Sequence, residues 1–241
     1  MAKVVGIIMT YNCAGLLAQA VAELPRDGFD ELILVDDGSI DNTWEVAQRL
    51  GIPAFQNTHS GYGGNLRFGL GKAFERGADI MVEVHGDGQF DMSQTSAAVA
   101  KMRGDDLDFL IGSRFTDLRQ PLADGMPWPR YLANIGLSFI ERLVLRIPWT
   151  EFHPGFRVYR RRFIEKLDLD KGANDYLYSF QIIALAAYFK AVCSEIPVRA
   201  DYRKPHTSVN YWRASINSFQ EMWVLGLYIL AKLGVKTGIF K

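Results

Sequence analysis

Short apolar runs alternate with longer amphipathic segments through the first half of the chain. Runs rich in β-branched and aliphatic residues fall at Val4 to Met9, Glu31 to Val35, Ile80 to Val84 and Asp108 to Ile111, with a weaker one around Ala54 and Phe55. Helical spacing fills the gaps at Ala14 to Leu24, Thr43 to Leu50, Leu66 to Arg76 and Ser93 to Met102, with glycine stops at Gly51, Gly77 and Gly104. Strands separated by helices predict a mostly parallel α/β sheet flanked by helices, because parallel neighbours need a crossover connection. No fixed-period repeat or low-complexity tract interrupts the pattern.

The second half reads differently. Asp117 to Pro129 is a loop with three prolines, followed from Arg130 by RYLANIGLSFIERLVLRIPW. Helical spacing puts Leu132, Ile135, Gly136, Phe139, Ile140, Leu143 and Ile147 on one face, with Arg130, Asn134, Ser138 and Glu141 opposite. The apolar face is expected to pack on the core; a basic amphipathic helix lying in a membrane interface is the competing reading. Tyr211, Trp212 and the apolar run Met222 to Ala231 leave the same choice, with self-association into a homo-oligomer as a third fate. That run falls well short of the ~20 residues of a membrane-crossing helix. Residues 1–210 are expected to form the main domain and 211–241 a helical C-terminal segment.

In an open α/β sheet, ligands bind beyond the carboxyl ends of the strands. The polar residues collected there are Thr10, Tyr11 and Asn12; Asp36, Asp37, Gly38 and Ser39 after Val35; His85, Asp87 and Gln89; and Ser113 and Arg114. If EVHGDGQFD stays extended past Val84, then His85, Asp87 and Gln89 share one face while Gly86 and Gly88 bare the main chain between them. Those donors can hold a divalent cation and let a ligand approach the backbone; a polar turn closing the strand is the plainer alternative. Asp37 is placed to accept hydrogen bonds from a base or ribose. Cations at Asp87 and Gln89 and the guanidinium groups of Arg114 and Arg203 suit a diphosphate. HSGYGGNLRFGLGK lacks both the G-x-G-x-x-G spacing and a P-loop, so a dinucleotide-dependent dehydrogenase and a P-loop enzyme drop in rank; its Gly61 to Gly64 stretch is expected to approach a ligand or to wrap tightly before a helix.

Composition narrows the partners. With 49% hydrophobic and 22% charged residues the chain is globular, and 27 basic against 27 acidic residues give no reason to expect nucleic acid. Cys13 and Cys193 lack C-x-x-C spacing and point to neither a zinc ribbon nor a disulfide framework, which fits a reducing cytoplasm. The apolar run in MAKVVGIIMTYN is too short for a secretory signal.

TYN after the first strand, VDDGSIDNT after the second, HGDGQFD after the run at Ile80, GSRF after the next, then GFRVYRR and EIPVRADYR, resemble the family-2 glycosyltransferases, in the branch around dolichyl-phosphate mannose synthase. The resemblance spans Val4 to Asn210. It implies a GT-A fold, the Rossmann-like architecture of nucleotide-diphospho-sugar transferases. It further implies inverting transfer of a hexose from a UDP- or GDP-linked donor to a polyprenyl phosphate, assisted by Mg2+ or Mn2+, by a cytoplasmic enzyme peripheral to the membrane face. Tyr11 and Asp37 match the positions that bracket base and ribose, with Thr10, Asn12 and Val35 beside them. His85, Gly86 and Asp87 fall on the family's Asp-Ala-Asp motif and Gln89 on a neighbouring metal-binding glutamine; Arg114 and Arg203 match arginines that meet phosphate. The departures are His85 for aspartate, Cys13 for glutamate and Val209 for lysine, which leave the donor and the ligand role of His85 open. Transfer to a saccharide hydroxyl and nucleotide-sugar binding without turnover are the alternatives. A hydroxyl acceptor needs a carboxylate base, for which Asp91, Glu151 and Asp175 are candidates; a phosphate monoester, with a second pKa of about 6, does not.

Overall fold

A computed structural model describes residues 2–200, 202 and 211–240. In chain order the elements are β1 (Val4–Thr10), α1 (Ala14–Ala22), β2 (Glu31–Asp36), α2 (Thr43–Arg49), β3 (Ala54–Gln56), α3 (Gly61–Glu75), β4 (Ile80–His85), α4 (Thr95–Gly104) and β5 (Phe109–Ser113). There follow α5 (Gln120–Ala123), α6 (Trp128–Leu145), β6 (Arg157–Arg160), α7 (Arg161–Ile164), α8 (Leu177–Tyr188), β7 (Cys193–Pro197) and α9 (Tyr211–Lys232). The strands form one sheet in the order β3-β2-β1-β4-β6-β5-β7. All neighbours run parallel except β6, which is antiparallel to both β4 and β5. The expected mostly parallel α/β architecture is therefore the one observed.

Period-two alternation explains why the central strands are apolar throughout. Along β1, Val5, Ile7 and Met9 enter a core with Leu66 and Leu70 of α3 and Ile182 of α8, while Val4 and Ile8 enter a second core with Leu17 of α1 and Met102 of α4. Burying both faces removes any polar stripe from the strand. The register then sets the site: Met9 pairs with Val35 on one side and His85 on the other, and Thr10 with Asp36. Because β6 is antiparallel to both its neighbours, β4 and β5 point the same way, and the carboxyl ends of β1, β2, β4 and β5 share one edge.

Three features depart from the sequence expectations. Helix α3 begins at Gly61, five residues before Leu66, because its glycine-rich first turn packs on the segment 173–175, where a Cβ on Gly63 would collide with backbone carbonyls. Low helix propensity hides such a turn from periodicity. The strand β6 inside GFRVYRR and β7 before VRADYR carry no strong alternation of their own. Most consequential is α6, whose polar positions Ser138 and Glu141 are buried while Leu132, Phe139, Ile140 and Leu143 are exposed. Most of the face expected to join the core points outward, while Ile147 is buried in the core, Ile135 packs on Phe115, Met126 and Tyr131, and Glu141 reaches inward to His153.

Candidate functional site

The two loops beyond β1 and β2 are stitched together. Thr10 is buried and its hydroxyl donates to the Val35 carbonyl at 3.3 Å and to Asp36 at 3.1 Å. Asn12 takes a left-handed backbone, φ 48°, that lets its N–H reach Ser39 Oγ at 2.9 Å and its side-chain oxygen accept the Ile40 N–H at 2.9 Å. Val35 is buried, and its carbonyl also accepts from Asn65 at 3.2 Å. This lattice holds Tyr11 half out of the surface, its ring stacked on His59 with centroids 4.6 Å apart. His59 was not singled out by sequence, since its place beside Tyr11 depends on the fold.

Asp37, the expected nucleotide acceptor, has partners within the chain. It is buried, and its two carboxylate oxygens accept the N–H groups of Ser60 and Gly61 at 2.9 Å each, while His59 Nδ1 lies 2.9 Å from Oδ2. The carboxylate thus satisfies the open N–H groups at the start of α3 and orients His59.

Beyond β4 the chain does not stay extended. The strand stops at His85, and Gly88, with φ +68°, turns it so that the Gln89 N–H folds back onto Asp87 Oδ1 at 3.1 Å. His85, Asp87 and Gln89 therefore do not alternate along one face. Gly86 is pressed against β1: a Cβ there would meet Thr10 Cγ2 at 2.6 Å and the Met9 carbonyl at 2.9 Å. His85 also departs from its expected place, for Nε2 lies 3.2 Å from the carboxylate of Glu83 beneath it, and its ring packs on Tyr62 and Phe90. Asp87 and Gln89 remain half-buried at the edge, and no ion pair engages Asp87 among the described residues. One carboxylate and one amide oxygen are the hard donors that Mg2+ or Mn2+ favours, and such ions commonly complete their shell with phosphate oxygens, so the residues present fit the implied cation. Asp87 also lies near Cys13, whose thiol is pushed up to about 11 by burial, with the Asp87 charge adding to the effect.

Under this turn sits a polar network that sequence reasoning missed. Glu83 is fully buried and accepts from the hydroxyls of Tyr62 and Tyr159, the latter at 2.7 Å, with Arg157 Nη1 3.4 Å away. Burial would raise the Glu83 carboxyl, but Arg157 and His85 outweigh it and lower it to about 2. The signal was present as a glutamate inside a buried strand and an arginine in GFRVYRR. Neither is tolerable in a core alone.

Beyond β5, Arg114 is 5% exposed, and Glu151, held by the loop before β6, is fully buried. Arg114 gives its backbone N–H to Glu151 at 2.7 Å, Nε to the same carboxylate at 2.8 Å, Nη2 to Glu151 and the His153 carbonyl, and Nη1 to the Tyr202 hydroxyl. Burial alone would lower the guanidinium; Glu151 and Tyr202 raise it above its ordinary value. The expected phosphate clamp is thus committed to a buried carboxylate that requires a counter-charge. Phe90 joins the two halves of the edge, its ring filling the space a Cβ on Gly155 would need. Arg203 lies outside the described residues.

Comparison with known proteins agrees with this layout. The model of glycosyl transferase family 2 matches residues 7–168. A UDP-N-acetylglucosamine–dolichyl-phosphate N-acetylglucosaminyltransferase of Methanococcus voltae is 28% identical over 214 residues, covering 81% of this chain and 84% of the relative. An undecaprenyl-phosphate mannosyltransferase of Micrococcus luteus is 31% identical over 190 residues, 75% of each chain. Among solved structures, glucosyl-3-phosphoglycerate synthase of Mycobacterium tuberculosis, crystallised with Mn2+, UDP and glucosyl-3-phosphoglycerate, superposes with a TM-score of 0.69 at 14% identity, over 93% of this chain and 78% of that one. The family match, spanning β1 to α7 and every edge loop described above, shows that this chain is a glycosyltransferase of family 2 with a GT-A-like fold.

Proposed function

We propose that the protein transfers a hexose from a UDP- or GDP-linked donor to a polyprenyl phosphate at a membrane surface, with inversion. The observation that carries this reading is the outward apolar stripe of α6, Trp128, Leu132, Phe139, Ile140 and Leu143, continued by Phe219, Trp223, Ile229 and Leu230 exposed on α9. Exposed apolar and aromatic surface of this kind suits the interface where a lipid acceptor resides. Relatives named for dolichyl and undecaprenyl phosphate acceptors support it. Among the described residues no helix is long and apolar enough to cross a membrane, so attachment would be through these faces.

In this scheme the Tyr11–His59 stack receives the nucleotide base and Asp37 fixes its geometry. Asp87 and Gln89 would hold Mg2+ or Mn2+, which when bound offsets the charge developing on the departing diphosphate. The Gly86 main chain, held against Met9, keeps Asp87 at the edge; the phosphate role that the resemblance gives Arg203 falls outside the described residues. The candidate bases also favour a phosphate acceptor. Glu151 is neutralised by Arg114, while Asp91 and Asp175 cap the backbone at Ser93 and Leu177 from exposed positions. A dianionic phosphate needs no proton removed and attacks directly. The test offers labelled UDP- and GDP-hexoses with polyprenyl phosphate in one arm and a saccharide acceptor in the other. Product confined to the lipid arm supports the proposal; product confined to the saccharide arm refutes it.

A further inference from the structure

Away from the donor edge, α6, α9 and the loop before β6 converge on a second cluster of ligating groups. His153 stands between two glutamates, Nε2 lying 3.1 Å from Glu141 Oε2 and Nδ1 3.5 Å from Glu221 Oε1. Glu141 is fully buried and Glu221 is 9% exposed. Neither oxygen of Glu141 has a hydrogen-bond partner, and neither does His153 Nε2, so the contact between them is one of proximity and charge without hydrogen-bond geometry. One ligand atom from each residue can be chosen so that all three lie within 4.8 Å of one another. We infer that Glu141, His153 and Glu221 form a second divalent-cation site, of the zinc class, that ties α6 and α9 to the loop carrying Glu151.

The unpartnered oxygens of the fully buried Glu141 carry the inference. Burial pushes the Glu141 carboxyl above its ordinary range, the mark of a carboxylate that lacks a sufficient counter-charge in this cluster. The guanidinium beside it, Arg114, is spent on Glu151. A divalent cation on a neutral imidazole cancels both carboxylates and engages the orphaned oxygens of Glu141. An imidazole among carboxylates suits zinc better than magnesium or calcium, and three protein ligands with a water complete a tetrahedron. In the cation-free form the ring faces one carboxylate with each nitrogen. Burial would lower its pKa, but Glu141 and Glu221 outweigh that and hold it protonated. Ion uptake takes one ring nitrogen and releases its proton. The three ligands come from α6, α9 and the loop between α6 and β6, so the ion would lock the two helices with outward apolar faces to the sheet.

The test uses the full, tag-free chain stripped by a chelator, then exposed to Zn2+ and desalted. Metal content and melting temperature are measured for wild type, Asp87→Asn, Glu141→Gln and Glu221→Gln, with proton release followed during the titration. Wild type and Asp87→Asn are expected to retain about one zinc per chain and to melt higher with it. Glu141→Gln loses the ion, and Glu221→Gln binds it at least about tenfold more weakly. Should Glu141→Gln fail to fold, Glu221→Gln decides, because that residue lies at the rim. Absence of retained zinc in wild type overturns the inference, as does retention lost in Asp87→Asn or undiminished in Glu221→Gln. These results are independent of which acceptor the enzyme uses.

Discussion

At the scale of single residues, the proposed scheme gives Asp87 a part in the chemistry and Glu83 a part in support. Asp87→Ala is expected to lower transfer by about 100-fold or more, the scale set by removing one electrostatic stabiliser, while leaving the melting temperature near wild type. Initial rates at saturating donor, paired with a thermal melt, check both halves. Glu83→Gln acts on stability, because it leaves Arg157 charged and buried without its partner, a loss of about 3–5 kcal/mol. Its pH dependence follows from a folded carboxyl held near 2 against an ordinary value of 4.5. A depressed carboxyl contributes stability above its unfolded pKa, so the wild-type advantage over Glu83→Gln is full above pH 4.5 and fades as pH falls toward 2. Urea melts of both proteins across that range check it. Residue types at the edge were legible from the chain because polar groups after apolar strands are conspicuous. Partners were not: Asp37 on the α3 N–H groups and Arg114 on Glu151 each join positions far apart in sequence, and only the fold decides whether a charge is spent internally.

At the scale of elements, β1, β2, β4 and β5 and their intervening helices were readable because alternation and glycine stops are local signals. Helix α6 shows the limit of that logic. Its spacing was visible, yet periodicity reports only that two faces differ, never which one meets the core, and the Glu141–His153 contact turned the apolar stripe outward. This inversion makes a direct prediction. Phe139→Glu, at a side chain 58% exposed, is expected to leave the melting temperature within about 1 °C of wild type, as surface changes do, and to abolish sedimentation with anionic lipid vesicles. A large fall in stability would place that side chain in a packed environment. The start of α3 teaches the converse: Gly63→Ala drives a methyl into the 173–175 backbone and is expected to cost about 1–3 kcal/mol, read by denaturant melts.

At the scale of the whole molecule, the sheet order puts the loops after β1, β2 and β4 in one half of the edge and the loop between α6 and β6 in the other, with β4 and β6 adjacent. Phe90 against Gly155 spans the two. Glu141 of α6 and Glu221 of α9 meet at His153, two residues from Glu151. In the proposed scheme, donor chemistry falls to the first half of the chain and lipid attachment to the second. The most direct measurement is transfer of labelled hexose to a polyprenyl phosphate in vesicles, compared with a saccharide acceptor under the same donor and Mn2+. The account predicts labelled lipid that disappears when Asp87 is replaced by alanine; label appearing only on the saccharide, or on lipid at an undiminished rate in that variant, would contradict it.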